Sequence, residues 1–474
     1  MGGWRRSPRL RRGFAASASD EFGQVASTAP DTGRRVCVCW RGRVGLGEDA
    51  VVGRVTEPFV VMAKPVGALC NLDCGYCYYL PKKGLAGGSG PMTVETLDAC
   101  VRAVIGAAPG PMVHFVWHGG EPTLAGVDFY RRVVELQRRV LPEGWQCVNS
   151  LQTNGTLLDD RWGAFLAEER FAVGLSLDGP AVVHDAVRSD RRRRPTHHRV
   201  LRGLAVLRAY GIEPDVLCTL NADSAAVGID LYRFFLAHRV RWLQFLPVVQ
   251  RTAGGGLSPR SVSADWLGWF LCTVFDEWVR HDVGAIAVQL FLEALVAEAG
   301  RQPALCVMAE TCGRALAVER DGAVYSCDHF VDHAHRIGDV GVDDLAALVD
   351  GERQAAFGLA KRDGLTAFCR ACSVLPLCRG GCPKDRFGTS PDGEPGHNVL
   401  CGGYRRFFEH ARPLLHRLNI RMVQGLAPSS IVGVLAAEEA DVEAPWRAAR
   451  RNGLCPCGSG RKYKHCCLGV HRPR

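Results

Sequence analysis

Residues Cys70-Asn71-Leu72-Asp73-Cys74-Gly75-Tyr76-Cys77-Tyr78-Tyr79 decide how this chain is read. They follow a short apolar run, Phe59–Ala63, that reads as a strand, so the three cysteines fall on a loop at a strand end. The x3 and x2 spacing lets one tight loop hold three irons of a four-iron, four-sulfur cluster, and the lack of a fourth local cysteine leaves one iron open to chelate a small molecule. A zinc knuckle lacking its fourth ligand is the competing reading. Tyr76, just before the last cysteine, and the strand-end position favour the cluster.

Outward from this loop, apolar runs alternate with helical patterns from Pro58 onward. Val113–Trp117, Cys147–Leu151, Ala172–Leu177, Glu213–Thr219 and Trp242–Leu246 read as further strands. Val94–Ile105, Asp128–Leu141, Arg161–Glu169, His197–Tyr210 and Ile229–His238 read as the helices between them. Strands and helices in alternation predict an α/β fold whose parallel sheet curls into a partial, TIM-like (βα)6 barrel over residues 58–260. Chemistry gathers at the C-terminal strand ends of such a sheet. There stand His118-Gly119-Gly120-Glu121-Pro122-Thr123-Leu124, Leu151-Gln-Thr-Asn-Gly155, Ser176-Leu-Asp-Gly-Pro180 with His184 and Arg188 beyond, and Gln244-Phe-Leu-Pro-Val-Val249. The glycine pair lets backbone carbonyls approach a cationic ligand, with Glu121 adding attraction; polar groups at the other strand ends read as ligand contacts or caps.

Composition sets the frame for these motifs. Of 474 residues, 47% are hydrophobic and 23% charged, a globular balance, and no run of about 18 apolar residues marks a membrane span. Arg11-Arg12-Gly13-Phe14 resembles an export signal, but Ala15–Glu21 stands where the apolar region should be, so a cytoplasmic location is expected. The net charge of +9 is concentrated at the ends: residues 1–45 carry +6 and 446–474 carry +8, leaving −5 on the 400 between, so nucleic acid and membrane are unlooked-for partners. The 21 cysteines are too few and too clustered for a disulfide scaffold, and their groups read as metal ligands. Cys37, Cys39, Cys100, Cys147, Cys218 and Cys272 stay outside these groups and read as small buried hydrophobes.

Residues 1–57 read as a flexible basic extension, and 261–305 as a helical connector with two helices within 264–298. Residues 306–418 form a cysteine-rich stretch too poor in apolar periodicity for a core of its own and held by metal. A linker over 419–449 leads to a compact module, 450–474. The cysteine-rich stretch carries Cys306, Cys312, Cys327, Cys369, Cys372, Cys378, Cys382 and Cys401, eight thiolates, enough to ligate two four-iron clusters completely; two structural zinc sites are the alternative. Cys455, Cys457, Cys466 and Cys467 bracket Gly-Ser-Gly and suit one closed tetrahedral zinc.

The Cys70–Cys77 loop resembles that of the radical S-adenosylmethionine superfamily. In that superfamily the open iron binds the methionyl amine and carboxylate, and an electron splits the sulfonium to a 5′-deoxyadenosyl radical. HGGEPTL matches its amine-binding motif and, with the LQTNG, SLDGP and QFLPVV strings, resembles the anaerobic sulfatase-maturating enzymes over about residues 58–415. That resemblance implies S-adenosylmethionine contacts at Tyr79, Gly120, Ser176, Arg188 and Val249. The 306–401 pattern resembles the SPASM extension, implying one auxiliary 4Fe-4S cluster on Cys306, Cys312, Cys327 and Cys382 and another on Cys369, Cys372, Cys378 and Cys401. The terminal module resembles the SEC-C motif. The resemblance implies that a Cys or Ser in a sulfatase polypeptide is oxidised to Cα-formylglycine, that Asp328 takes the thiol or hydroxyl proton, and that an external flavodoxin- or ferredoxin-type donor supplies electrons. Two rivals share these features: a radical maturase that crosslinks or epimerises another ribosomally made peptide, and a zinc-dependent binding protein.

Overall fold

The computed structural model describes residues 54–85 and 90–469; the basic extension through residue 53, with Cys37 and Cys39, and residues 470–474 lie outside the described residues. Six parallel strands stand in sequence order at the centre of a ten-stranded sheet: β1 (Val60–Ala63), β2 (Met112–Trp117), β3 (Gln146–Thr153), β4 (Ala172–Ser176), β5 (Asp215–Leu220) and β6 (Trp242–Pro247). The helix Val94–Ala107 shows why the intervening segments cover the sheet. Leu97, Cys100, Val101, Val104 and Ile105 recur on one face and are buried, while the Thr93 hydroxyl caps the first turn by accepting from the Thr96 amide at 3.2 Å. Cys100 and Cys218 are core residues, as expected, whereas Cys147 and Cys272 are half-buried.

Alternation along the strands separates two chemistries. Val61, Ala63, Phe115, Trp117, Leu151 and Val173 face the helices and share one apolar layer. On the other face the register lines up Gln152 beside Gly174, and Ser176 beside Leu217 and then Gln244. Polar residues therefore collect on the inner face near the C-terminal strand ends.

The sheet extends on both sides of these six strands. β7 (Ala287–Val288) pairs with β6, and β8 (Ala315–Val318) pairs parallel with β1 and leads into antiparallel β9 (Ala323–Tyr325) and β10 (Arg336–Asp339). The segment from 306, expected to lack a core and depend on metal, thus starts by continuing the barrel sheet, with Leu316, Val318 and Val324 buried in the same layer as Val61. The strand partner is remote in sequence, which is why a local reading misses it.

Two expected helices, Ala264–Glu277 and Gln289–Glu298, leave the sheet, and Cys401–Val423 crosses the first so closely that a Cβ on Gly403 would lie 2.4 Å from the Ala264 carbonyl. Two expected boundaries shift. Val55, assigned to the extension, is buried and donates to the Ala107 carbonyl at 3.0 Å. The linker over 419–449 is largely a helix, Ser430–Arg447: Ile431 and Leu435 join the main core, and Glu439 and Glu438 pair with Arg280 and Arg417 at 2.7 and 2.6 Å. No helix among the described residues is long and apolar enough to cross a membrane.

Candidate active site

The thiol loop is built by turns and then stitched to three strand ends. Gly67, in the left-handed region at φ 56°, donates to the Lys64 carbonyl at 3.0 Å, and Cys77 donates to Cys74 at 3.1 Å. The Gly120 and Glu121 amides donate to the carbonyls of Gly67 and Leu69, each at 2.8 Å, which seats the HGGEP turn directly on the loop. A Cβ on Gly120 would lie 1.9 Å from the Leu69 carbonyl oxygen, so only glycine fits there. Asn71 donates to Thr156 at 2.8 Å and accepts from Asn154 at 2.9 Å, and the Tyr76 hydroxyl donates to Asp178 at 2.5 Å.

Burial pushes the Cys70 thiol up to about 11 and Cys74 to about 12, and the three sulfurs also act on one another. Half-buried neighbouring thiols of this kind ionise most readily on a positively charged metal, as an iron–sulfur cluster provides. On the inner strand face, Gln152 Oε1 and Thr219 Oγ1 are buried without a hydrogen-bond partner, the kind of unfilled polar demand that a polar ligand meets.

Asp328 lies at the seam that β8 makes with β1. The Lys64 ammonium, fully buried just past β1, donates to one carboxylate oxygen, and the Tyr78 hydroxyl of the thiol loop donates to the other. Lys64 is also 3.0 Å from His118 Nδ1, which accepts from the Gly119 amide at 2.7 Å. An amide can only donate, so Nδ1 is unprotonated; burial, helped by Lys64, holds the ring neutral with a pKa lowered to about 3. Burial alone would raise the Asp328 carboxyl, but the Lys64 ammonium, by charge and hydrogen bond, outweighs it and holds the group well below the usual range. Sequence reasoning named Asp328 but missed Lys64, because an isolated lysine after a strand carries no spacing signal.

The remaining expected ligand contacts are near the same strand ends. Tyr79 is buried with its hydroxyl on Glu319, whose pKa burial raises to about 7. Ser176 accepts from Gln152 at 3.1 Å, and Val249 is half-buried just past β6. Arg188 is buried and donates to Asp178 at 2.6 Å. Asp178, fully buried, accepts from Tyr76, Arg188 and the Thr219 amide, so it braces the thiol loop against β5. Glu121, expected to attract a ligand, instead spends its oxygens on Thr123, Thr153 and the Asn154 amide.

Farther along, Cys306, Cys312, Cys327 and Cys382 act electrostatically on one another, while Cys369, Cys372, Cys378 and Cys401 line one cavity with Phe368 and Asn398. Lys361, completely buried, anchors the first set: its ammonium donates to the carbonyls of Cys306 at 2.7 Å, Val307 at 3.1 Å and Ala309. In the terminal module the sulfurs of Cys455, Cys457, Cys466 and Cys467 lie within 4.8 Å of one another, a spacing that fits tetrahedral thiolate coordination.

Residues 65–222 match the Radical SAM superfamily model, 306–373 the iron-sulfur cluster-binding SPASM domain, and 451–469 the SEC-C motif. The chain is 38% identical over 396 residues to the serine-type anaerobic sulfatase-maturating enzyme of Bacteroides thetaiotaomicron, covering 80% of this chain and 95% of that one. It is 32% identical over 368 residues to the cysteine-type enzyme of Clostridium perfringens, covering 76% and 97%. The solved structure of native anSMEcpe with bound AdoMet and Cp18Cys peptide, 31% identical, superposes with a TM-score of 0.70 over 76% of this chain and 99% of that one. The thiol loop, the glycine turn seated on it and this extent of likeness agree: the chain belongs to the anaerobic sulfatase-maturating enzymes of the radical S-adenosylmethionine superfamily.

Proposed function

We propose that this chain oxidises the Cβ of a cysteine or serine in a sulfatase polypeptide to an aldehyde, yielding Cα-formylglycine. The observation that carries the reading is Asp328, a buried carboxylate shared between Lys64 of the barrel and Tyr78 of the thiol loop. The family relationship supports it, since relatives of both serine and cysteine type match.

Cys70, Cys74 and Cys77 would hold the radical-generating cluster, which with S-adenosylmethionine bound supplies a 5′-deoxyadenosyl radical able to remove hydrogen from the substrate Cβ. Tyr79, Gly120, Ser176, Arg188 and Val249 are proposed to hold the S-adenosylmethionine. Arg188 is fixed for that role by Asp178, and the Ser176 hydroxyl accepts from the Gln152 side-chain amide, which leaves its own proton to donate. Asp328 takes the substrate's thiol or hydroxyl proton. Lys64 keeps it ionised, and a substrate group displacing the Tyr78 hydroxyl removes one donor and strengthens Asp328 as a base. Cys306, Cys312, Cys327 and Cys382, and Cys369, Cys372, Cys378 and Cys401, would ligate two auxiliary clusters; Cys455, Cys457, Cys466 and Cys467 would close around zinc. An external flavodoxin- or ferredoxin-type protein would supply the initiating electron and take up the one left on the substrate, a cysteine's sulfur would leave to water as sulfide, and the cytoplasm is the proposed setting.

The test is metal analysis of anaerobically reconstituted protein, with mass spectrometry of a sulfatase-motif peptide after incubation with S-adenosylmethionine and dithionite. About twelve irons and a peptide lightened to formylglycine are expected. Formation of 5′-deoxyadenosine with the peptide unchanged moves the substrate to another peptide; zinc without iron overturns the enzyme.

A further inference from the structure

Cys378 and Cys382 are separated by only Arg379, Gly380 and Gly381, yet they fall in different thiol sets. All three intervening residues are left-handed, with φ of 51°, 70° and 64°. Their carbonyls converge on one side chain: Arg386 Nε donates to Gly380 at 3.2 Å, and Nη2 reaches Arg379 at 3.2 Å and Gly381 at 3.4 Å. Nη1 donates to the Lys361 carbonyl at 2.6 Å. The loop is moulded to this guanidinium, since a Cβ on Gly380 would lie 2.8 Å from Nη2.

The charge is the second observation. Among the described residues no carboxylate pairs with Arg386 or with Lys361; the adjacent Asp385 is taken by Lys384 at 2.6 Å. Lys361 is fully buried and Arg386 half-buried, and cations removed from water that bond only to carbonyls favour a nearby counter-charge. Thiols from both sets, Cys369, Cys382, Cys378 and Cys312, lie within electrostatic reach of Arg386. A cluster held by four thiolates is anionic and gains one more negative charge on taking up an electron.

We propose that Arg386, with Lys361 behind it, is a positioning residue that joins the two auxiliary sites and supplies the fixed positive charge easing their one-electron reduction. The assignment rests on the cysteine sets being cluster ligands. No bond breaks in this step: one electron arrives, from dithionite in the test or from substrate oxidation in turnover, and Arg386 offsets the added charge.

The experiment compares reconstituted wild-type holoenzyme with Arg386→Gln and Arg386→Lys, by iron analysis and EPR-monitored potentiometric titration without S-adenosylmethionine or peptide. Arg386→Gln with full iron is expected to show auxiliary signals harder to reduce, the reduced-to-oxidised ratio at fixed potential falling about tenfold or about 59 mV, with Arg386→Lys near wild type. Loss of iron in Arg386→Gln but not in Arg386→Lys also supports the charge. Unchanged potentials in an iron-replete Arg386→Gln, or iron loss in both variants, overturns it. Wild-type protein that takes up no iron instead overturns the cluster reading beneath it.

Discussion

Asp328 and Lys64 form a buried pair whose members depend on each other unequally. Asp328→Asn preserves an acceptor for Tyr78 but takes from the fully buried Lys64 the carboxylate it pairs with. Such a loss costs about 3–5 kcal/mol, so anaerobic denaturation should register it, and Lys64→Met in the same chain should recover part. Catalytically, Asp328→Asn should still form 5′-deoxyadenosine while peptide oxidation falls by at least about a hundredfold; unchanged turnover would remove Asp328 from proton transfer. Glu319 sets a different dependence. Burial raises its pKa from 4.5 to about 7, so the fold favours the protonated form. Its stabilisation is complete below about 4.5 and fades as pH rises through about 7, an effect on the order of 3 kcal/mol. Denaturation midpoints measured across that interval should fall in the wild type and flatten in Glu319→Gln.

Among the elements, the strand-end turns matter most, because two of them are pressed together without side chains between. Gly120→Ala forces a Cβ into the Leu69 carbonyl and parts the turn from the thiol loop. S-adenosylmethionine binding, followed by anaerobic equilibrium dialysis, should weaken at least about tenfold, or about 1.4 kcal/mol, while helix and strand content by circular dichroism is retained. The barrel elements were legible because apolar periodicity is local, as the Leu97–Ile105 stripe shows. β8 was not, since Ala-Leu-Ala-Val becomes a strand only by pairing with β1, and the helix Ser430–Arg447 was not, since just Ile431 and Leu435 bury.

At the scale of the whole molecule, the terminal module has a four-sulfur site of its own and shares none of these ligands with the barrel site. A chain ending at residue 449 should lose about one zinc and keep its iron and its peptide oxidation; loss of iron as well would tie the module to the radical centre.

The sequence by itself determined the grouping of the cysteines and the alternation of strands and helices, because cysteine spacing and hydrophobic period are properties of neighbouring residues. Tertiary structure alone decided the rest. Pairing of β8 with β1 carries Asp328 to Lys64 and Tyr78, and the fold around Arg386 brings two cysteine sets to one guanidinium. Charges that meet across hundreds of residues leave no pattern in the chain, since only packing sets their distance.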